Sequence, residues 1–278
     1  MDRAVHRPAE HPARPAAADL TALFVTGLGG HLGAAIEAAA PGVAGLRHRD
    51  EDVRDAALVR ERMAAARPEA VIHTAYVQDG PDAWSVNVDG AAVVAAAARE
   101  HGARLIHLST DVVFDGALGR PVTEDDEPNP ITAYGRSKAA GERAVREAHP
   151  DALIVRTSLL YGGPEPSRQE RMALEPDATF YTDELRCPID VRDLAAALLE
   201  LATLAEPPPL LHVAGADAVS RLEFAQLVVA RHGGDPAALR GAPRPPDRPG
   251  DCRLDSGRAR ALLRTPLRGV RDVLSRRG

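Results

Sequence analysis

Tyr134 and Lys138 stand four residues apart in the stretch "ITAYGRSKAAGE", and Lys138 is the one lysine among the chain's 34 lysines and arginines. In a helix that offset puts both side chains on one face. A guanidinium is planar and broad, whereas an ammonium is a compact charge on a flexible stem. A lone lysine among so many arginines therefore fits a site where a small cation must sit beside a phenol. Tyrosine has a reference pKa of about 10 and needs help to exchange a proton at neutral pH. A cation ~4 Å away, at an effective dielectric of ~20, favours phenolate by about 4 kcal/mol before desolvation is subtracted. The ammonium's several donors can also hold a sugar hydroxyl. Ser109, Thr110 and Asp111 close the run "RLIHLSTD", which sets hydroxyls at the carboxyl end of an expected strand. Hydroxyl, phenol and ammonium together make a proton-transfer set. The plainer alternative for Ser109 and Thr110 is a cap on the following turn.

A second group of residues suits an anion. "VTGLGGHLG" places Gly27, Gly30 and Gly33 between an apolar run and an alanine-rich one. Glycines so placed permit a tight turn, let backbone approach a pyrophosphate, and let helix and strand pack closely. The helix start then turns its free N–H groups toward the anion. In the same kind of site, an acid ending the second strand bonds the adenosine ribose, and an arginine there accepts a 2′-phosphate. "GLRHRD" offers Arg47 and Arg49, which favours NADPH; NADH is the alternative if Asp50 is the ribose acid.

The elements that must position these groups follow from periodicity. "LTALFVTG", "VAGLRHRD", "EAVIHTAY", "ARLIHLSTD", "ALIVRTSLLYG" and the proline-led "PPPLLHVAG" read as strands. "HLGAAIEAAA", "AALVRERMAAA", "VDGAAVVAAAAREHG" and "AYGRSKAAGERAVREAH" read as helices between them. This alternation predicts an α/β fold, a Rossmann-type doubly wound parallel sheet with helices on both faces. "DVRDLAAALLELATLA" and the serine-started, glycine-stopped "SRLEFAQLVVARHGG" add helices, whereas "PSRQERMALEPDATFYTDELRCP" shows no strong period. Expected divisions are a flexible tail at 1–18 and a dinucleotide-binding domain at 19–162, to which 188–214 return. A smaller C-terminal substrate lobe takes 163–187 and 215–278, over the carboxyl edge of the sheet.

Composition narrows the partners. A formal charge of −6 provides no basic footprint for a nucleic acid polymer. No run approaches the ~18 apolar residues of a membrane span, and residues 1–18 lack the apolar core of a secretory signal. Cys187 and Cys252 lack metal-ligand spacing and are expected to be reduced, in a cytoplasmic protein with no metal site.

Taken together, "TGLGGHLG", "LSTDVVFDG", "EDDEPNPITAYGRSKAAGERAV" and "IVRTSLLYG" resemble the extended short-chain dehydrogenase/reductases, and among them most the dTDP-4-dehydrorhamnose reductases. "DELRCPIDVRDLAAALLEL", "LLHVAGADAVSRLEFAQLV" and "RPGDCRLDSGRARALL" are similar to that family's C-terminal half, so the likeness spans about residues 22–275. The resemblance implies reduction by NADPH or NADH of a 4-keto sugar on a nucleoside diphosphate, and it allows for a homodimer. It implies that Tyr134 protonates the carbonyl oxygen, that Lys138 supports the phenol and binds ribose, and that Thr110, beside Asp111, bonds the substrate. Gly30, His31 and Leu32 match a diphosphate loop; Asp52 and Val53 match residues beside adenine. Ala75, Tyr76 and Val77 match the segment along the nicotinamide half, and Arg248 matches an arginine that could reach a substrate phosphate. Asn87 matches an asparagine of the wider group, with a helix cap as its alternative role. Val112 stands where the family has tyrosine and Leu159 where it has tryptophan, which leaves the sugar open. Two further readings remain. One is a non-catalytic dinucleotide-binding regulatory protein, such as the regulatory subunit of methionine adenosyltransferase; the other is a nucleotide-sugar epimerase.

Overall fold

The computed structural model describes residues 22–47, 51–175 and 177–275. The tail at 1–18, Arg49 and Asp50 lie outside the described residues. Strand β1 (Leu23–Thr26) leads through the glycine turn into α1 (His31–Ala39), β2 (Ala44–Leu46), α2 (Ala56–Ala66) and β3 (Ala70–His73). A short α3 (Ala83–Ser85) runs through a π-turn (Val86–Gly90) into α4 (Ala91–Glu100). Next come β4 (Arg104–Thr110), a 3₁₀ turn (Asp111–Val113), α5 (Ala133–Ala148), β5 (Leu153–Thr157) and β6 (Leu160–Tyr161). The expected single strand "ALIVRTSLLYG" is thus broken at Ser158 and Leu159.

Five short elements follow: α6 (Arg168–Ala173), β7 (Thr179–Tyr181), β8 (Leu185–Arg186), β9 (Ile189–Asp190) and the longer α7 (Val191–Ala202). The chain ends with β10 (Leu210–His212), β11 (Val219–Ser220), α8 (Arg221–Arg231), β12 (Arg240–Ala242), α9 (Gly257–Leu262) and α10 (Val270–Ser275). Caps explain several helix starts. Asp55 accepts from the Ala57 and Leu58 amides, and Ser220 accepts from the Glu223 amide.

The central sheet is parallel throughout, in the order β2-β1-β3-β4-β5-β10. Its strands are apolar on both faces because each face is covered. One face packs Val25, Ile72, Ile106 and Val155 against α1 and α7. The other packs Phe24, Val71, Leu105 and Ile154 against α2, α4 and α5. The chain leaves β1 for β2 on one side and returns to β3 on the other. The carboxyl ends of β1 and β3 therefore flank a crevice, the place where open α/β sheets take ligands. Cys187 and Cys252 are buried and unbonded.

Ile72 is wholly buried at the centre of this sheet. Ile72→Ala should cost about 2–5 kcal/mol, read from the denaturant midpoint, while Leu118→Ala, at a half-exposed loop position, should stay within about 0.5 kcal/mol.

Candidate active site

The glycine turn is fastened at both ends. The Gly27 and Leu28 amides donate to the Leu46 carbonyl at 3.0 and 3.1 Å, which ties the turn to the end of β2. A Cβ on Gly33 would lie 2.1 Å from the Gly27 carbonyl oxygen, so any side chain there would push α1 off the turn. Helix α1 starts at His31 after Gly30, with no side chain capping it, and its first N–H groups are free to meet an anion. A Cβ on Gly27 would meet the Thr74 hydroxyl at 2.7 Å and the Ala75 amide nitrogen at 2.9 Å. The segment Ala75, Tyr76 and Val77 therefore begins against the turn, across the crevice. These features fit the diphosphate of a dinucleotide. His31 is enclosed by residues 162–171; burial comes first in holding its pKa below the ordinary value, with nearby Glu170 opposing.

The groups beyond β2 are engaged with one another. Arg47 pairs with Glu37 of α1. Asp52 is held by Arg54, which also bonds Asp82 at 2.8 Å and Ser85 at 2.9 Å. Val53 is buried against the position a Gly90 side chain would take. This stretch is a braced wall, and Arg47 keeps its guanidinium half exposed.

Thr132 caps α5 by accepting from the Gly135 amide at 2.9 Å. A Cβ on Gly135 would stand 2.1 Å from the Val112 carbonyl oxygen, so only glycine lets α5 approach the 3₁₀ turn this closely. That contact brings Tyr134 close to Thr110, whose hydroxyl acts to lower the phenol's pKa. The Tyr76 ring leans over Tyr134 with centroids 5.8 Å apart. One turn along, Lys138 is 3% exposed and donates from Nζ to the Leu108 carbonyl at 2.6 Å. Thr110 Oγ1 also accepts weakly from the Val112 amide at 3.4 Å, so it caps the turn and faces the phenol together. Ser109 points the other way, into the layer under α5, where its hydroxyl is buried without a partner.

Electrostatics corrects one expectation. Burial pushes the Tyr134 phenol well above its ordinary pKa, reinforced by Tyr76 and Asp111 and opposed by the Thr110 hydrogen bond. Desolvation dominates, and the phenol is protonated at neutral pH. Burial also brings Lys138 down to about 8, against the upward pull of Glu142, which leaves it largely charged at pH 7.

Asn87 is not a helix cap. It lies buried in the π-turn, accepts from the Val77 amide at 2.9 Å, and donates to the Val77 carbonyl at 2.8 Å and the Ser137 hydroxyl at 2.9 Å. It therefore binds the Ala75–Val77 segment to α5.

Asp111 leads into a buried charge network that sequence reasoning missed. It accepts from Ser158 Oγ at 2.6 Å and faces Arg186 Nε at 3.6 Å. Arg186 pairs with Glu184 at 3.3 Å, and Glu184 pairs with Arg248 at 2.8 Å and lies 3.9 Å from Arg221. Arg248 packs its guanidinium 4.9 Å over the Tyr181 ring. The network joins Arg248 to Thr110 through three linking side chains, Glu184, Arg186 and Asp111. The only advance signal was that "DELRCP" fell in a family-like segment. Val112 and Leu159 are both partly exposed. A cavity of about 510 Å³ lined by Tyr161, Gly163, Glu170 and Arg192 shares no residue with the set. Among the described residues, no group of three or more His, Cys, Asp or Glu is placed to hold a metal, and no helix is long and apolar enough to cross a membrane.

The RmlD substrate binding domain model matches residues 21–277. The chain belongs to the RmlD substrate binding domain family. Among relatives in and around this family, the chain is 36% identical over 274 residues to a dTDP-4-dehydrorhamnose reductase of Mycolicibacterium smegmatis, covering 91% of this chain and 83% of that protein. A dTDP-4-keto-6-deoxy-D-glucose reductase of Streptomyces niveus is 40% identical over 151 residues, about half of either chain (50% and 52%). In three dimensions it is similar to a dTDP-4-dehydrorhamnose reductase of Bacillus anthracis solved in complex with NADP. The TM-score is 0.79 at 25% identity, over 92% of this chain and 97% of that one.

Gly135→Ala should separate α5 from the 3₁₀ turn. Expected are a loss of about 1–3 kcal/mol in chemical denaturation and a lower kcat from misalignment of Tyr134 with Thr110, measured by steady-state kinetics.

Proposed function

We propose that this chain is an NAD(P)H-dependent reductase of a nucleotide-linked 4-keto sugar, of the dTDP-4-dehydrorhamnose reductase type. One observation carries the reading: a protonated phenol lies one helical turn from a buried ammonium and packs on Tyr76, in the segment that begins against the glycine turn. The glycine-turn residues Gly27, Gly30, His31, Leu32 and Gly33 would take the diphosphate. Asp52 and Val53 would border the adenine, Arg47 a 2′-phosphate if NADPH is used, and Ala75, Tyr76 and Val77 the nicotinamide half. The relatives' names and the NADP-bound neighbour support the same assignment.

Bound NAD(P)H supplies the hydride. Tyr134 gives its proton to the carbonyl oxygen as that hydride reaches the carbon, so the two transfers together make an alcohol. Its raised pKa suits an acid that must arrive protonated. Thr110 bonds the same oxygen and orients it toward the phenol. Lys138 holds the ribose hydroxyls and offsets charge that develops on the phenolic oxygen. Arg248, anchored by Glu184, would meet a substrate phosphate, and Asp111 accepts from Thr110 at 3.3 Å. A purely regulatory dinucleotide-binding role would leave this buried ammonium without a task.

Tyr134→Phe should lower kcat with a panel of nucleotide-linked keto sugars by about 10²–10⁴-fold, while NADPH affinity in a fluorescence titration changes only a few-fold. A wild-type chain that oxidises neither NADPH nor NADH with any member of the panel would overturn the reading. The wild-type kcat/KM should also fall as pH rises through about 8, where Lys138 loses its proton. Tyr134 adds no limb there, because its own pKa is displaced upward.

A further inference from the structure

Lys138 is surrounded by groups that can be named. From β4, the Leu108 carbonyl accepts its proton. His107 of β4 and His73 of β3 lie on the same side, fully buried, with stacked rings 5.1 Å apart. Burial first, and the ammonium second, keep both imidazoles neutral. The π-turn contributes only the neutral Asn87, through Ser137. On α5, Tyr134 lies one turn before the lysine and Glu142 one turn after, and Asp111 acts on the far side of Tyr134. Glu142 is therefore the acid that bears on the ammonium among the described residues.

Glu142 is itself locked. Arg156 of β5 donates from Nε to Oε1 at 3.0 Å and from Nη2 to Oε2 at 2.7 Å. Both side chains are almost completely buried, and the guanidinium also lies 5.1 Å over the Phe114 ring. His212 of β10 faces this pair, with Glu124 behind it. A bidentate fork fixes a carboxylate in direction as well as in charge. An unpaired carboxylate at this depth would take up a proton instead.

We propose that Glu142, locked by Arg156, is a positioning residue that keeps the Lys138 ammonium charged and in register beneath Tyr134. Residues 134, 138 and 142 form one stripe at four-residue spacing, so the acid, the cation and the anion that steadies it share a helix face. Burial alone drives the ammonium toward neutrality. The Leu108 carbonyl supplies a dipole, and Glu142, although shared with Arg156, supplies negative charge at the next turn. The inference deepens the reductase reading, on which the catalytic use of Lys138 rests; the ionisation of Lys138 can be tested without it.

Because the chain has one lysine, protein made with ¹³C-lysine gives a single side-chain signal, and its shift against pH reads the Lys138 pKa in the full chain. Wild type should titrate near 8. Glu142→Gln keeps the shape and should move the midpoint down by about one pH unit, and Glu142→Asp should return it toward wild type. Glu142→Gln combined with Arg156→Met removes the stranded guanidinium charge, so it should recover thermal stability yet keep the lowered midpoint. The alkaline limb of kcat/KM should move with the midpoint. A wild-type midpoint in the folded double variant would overturn the inference, as would activity lost equally at every pH. Lowered midpoints in a chain that reduces no keto sugar would uphold the electrostatic coupling and remove the reductase reading alone.

Discussion

An ammonium is hard to keep inside a protein, and much of this site is arranged around one. Moving such an ion out of water costs several kcal/mol even after relaxation. Here the cost is met from two directions, by the carbonyl of Leu108 on the sheet and by the carboxylate of Glu142 on the same helix. The carbonyl is in reach only because α5 lies close on the strands. That approach depends on Gly135 against the 3₁₀ turn and on the Glu142–Arg156 fork against β5. The same closeness dehydrates Tyr134, so one packing decision lowers the lysine and raises the tyrosine. The result is a neutral acid one turn from a cation, which suits proton donation to a carbonyl oxygen.

Residues 184–186 are joined to this centre by charge as well as by chain. Asp111, next to Thr110, meets Arg186, and Arg186 meets Glu184, all three nearly inaccessible to water. Breaking any one of these contacts would strand a buried charge, which is costly in the low-dielectric interior. On the surface, Arg168 of α6 reaches Gln78 at 2.7 Å and Asp79 at 3.3 Å, beside Tyr76. Exposed contacts of that kind are worth little and are screened by salt. The buried charges make the firmer of these two contacts.

Most of the scaffold was legible in the sequence because its elements are long enough to show a period. The helix expected over "AALVRERMAAA" is α2, residue for residue, and the glycine turn sits between β1 and α1. The four-residue spacing of Tyr134 and Lys138 was legible for the same reason. What the spacing could not carry was depth: it placed a cation near a phenol but left the desolvation of both open. Asn87 was ambiguous because its partners, Val77 and Ser137, are set by tertiary packing, and a π-turn leaves no mark on helical periodicity. Arg186 and Glu184 sit in or beside a two-residue strand, β8, too short for alternation to register.

The enclosure of Lys138 also changes what reagents can do to this chain. Acylating labels, surface-coupling esters and amine-specific cross-linkers seek exposed primary amines, and folding removes the sole lysine side chain from their reach. An acyl group arriving at that position would have had to enter through the crevice or follow a lifting of α5 from the strands.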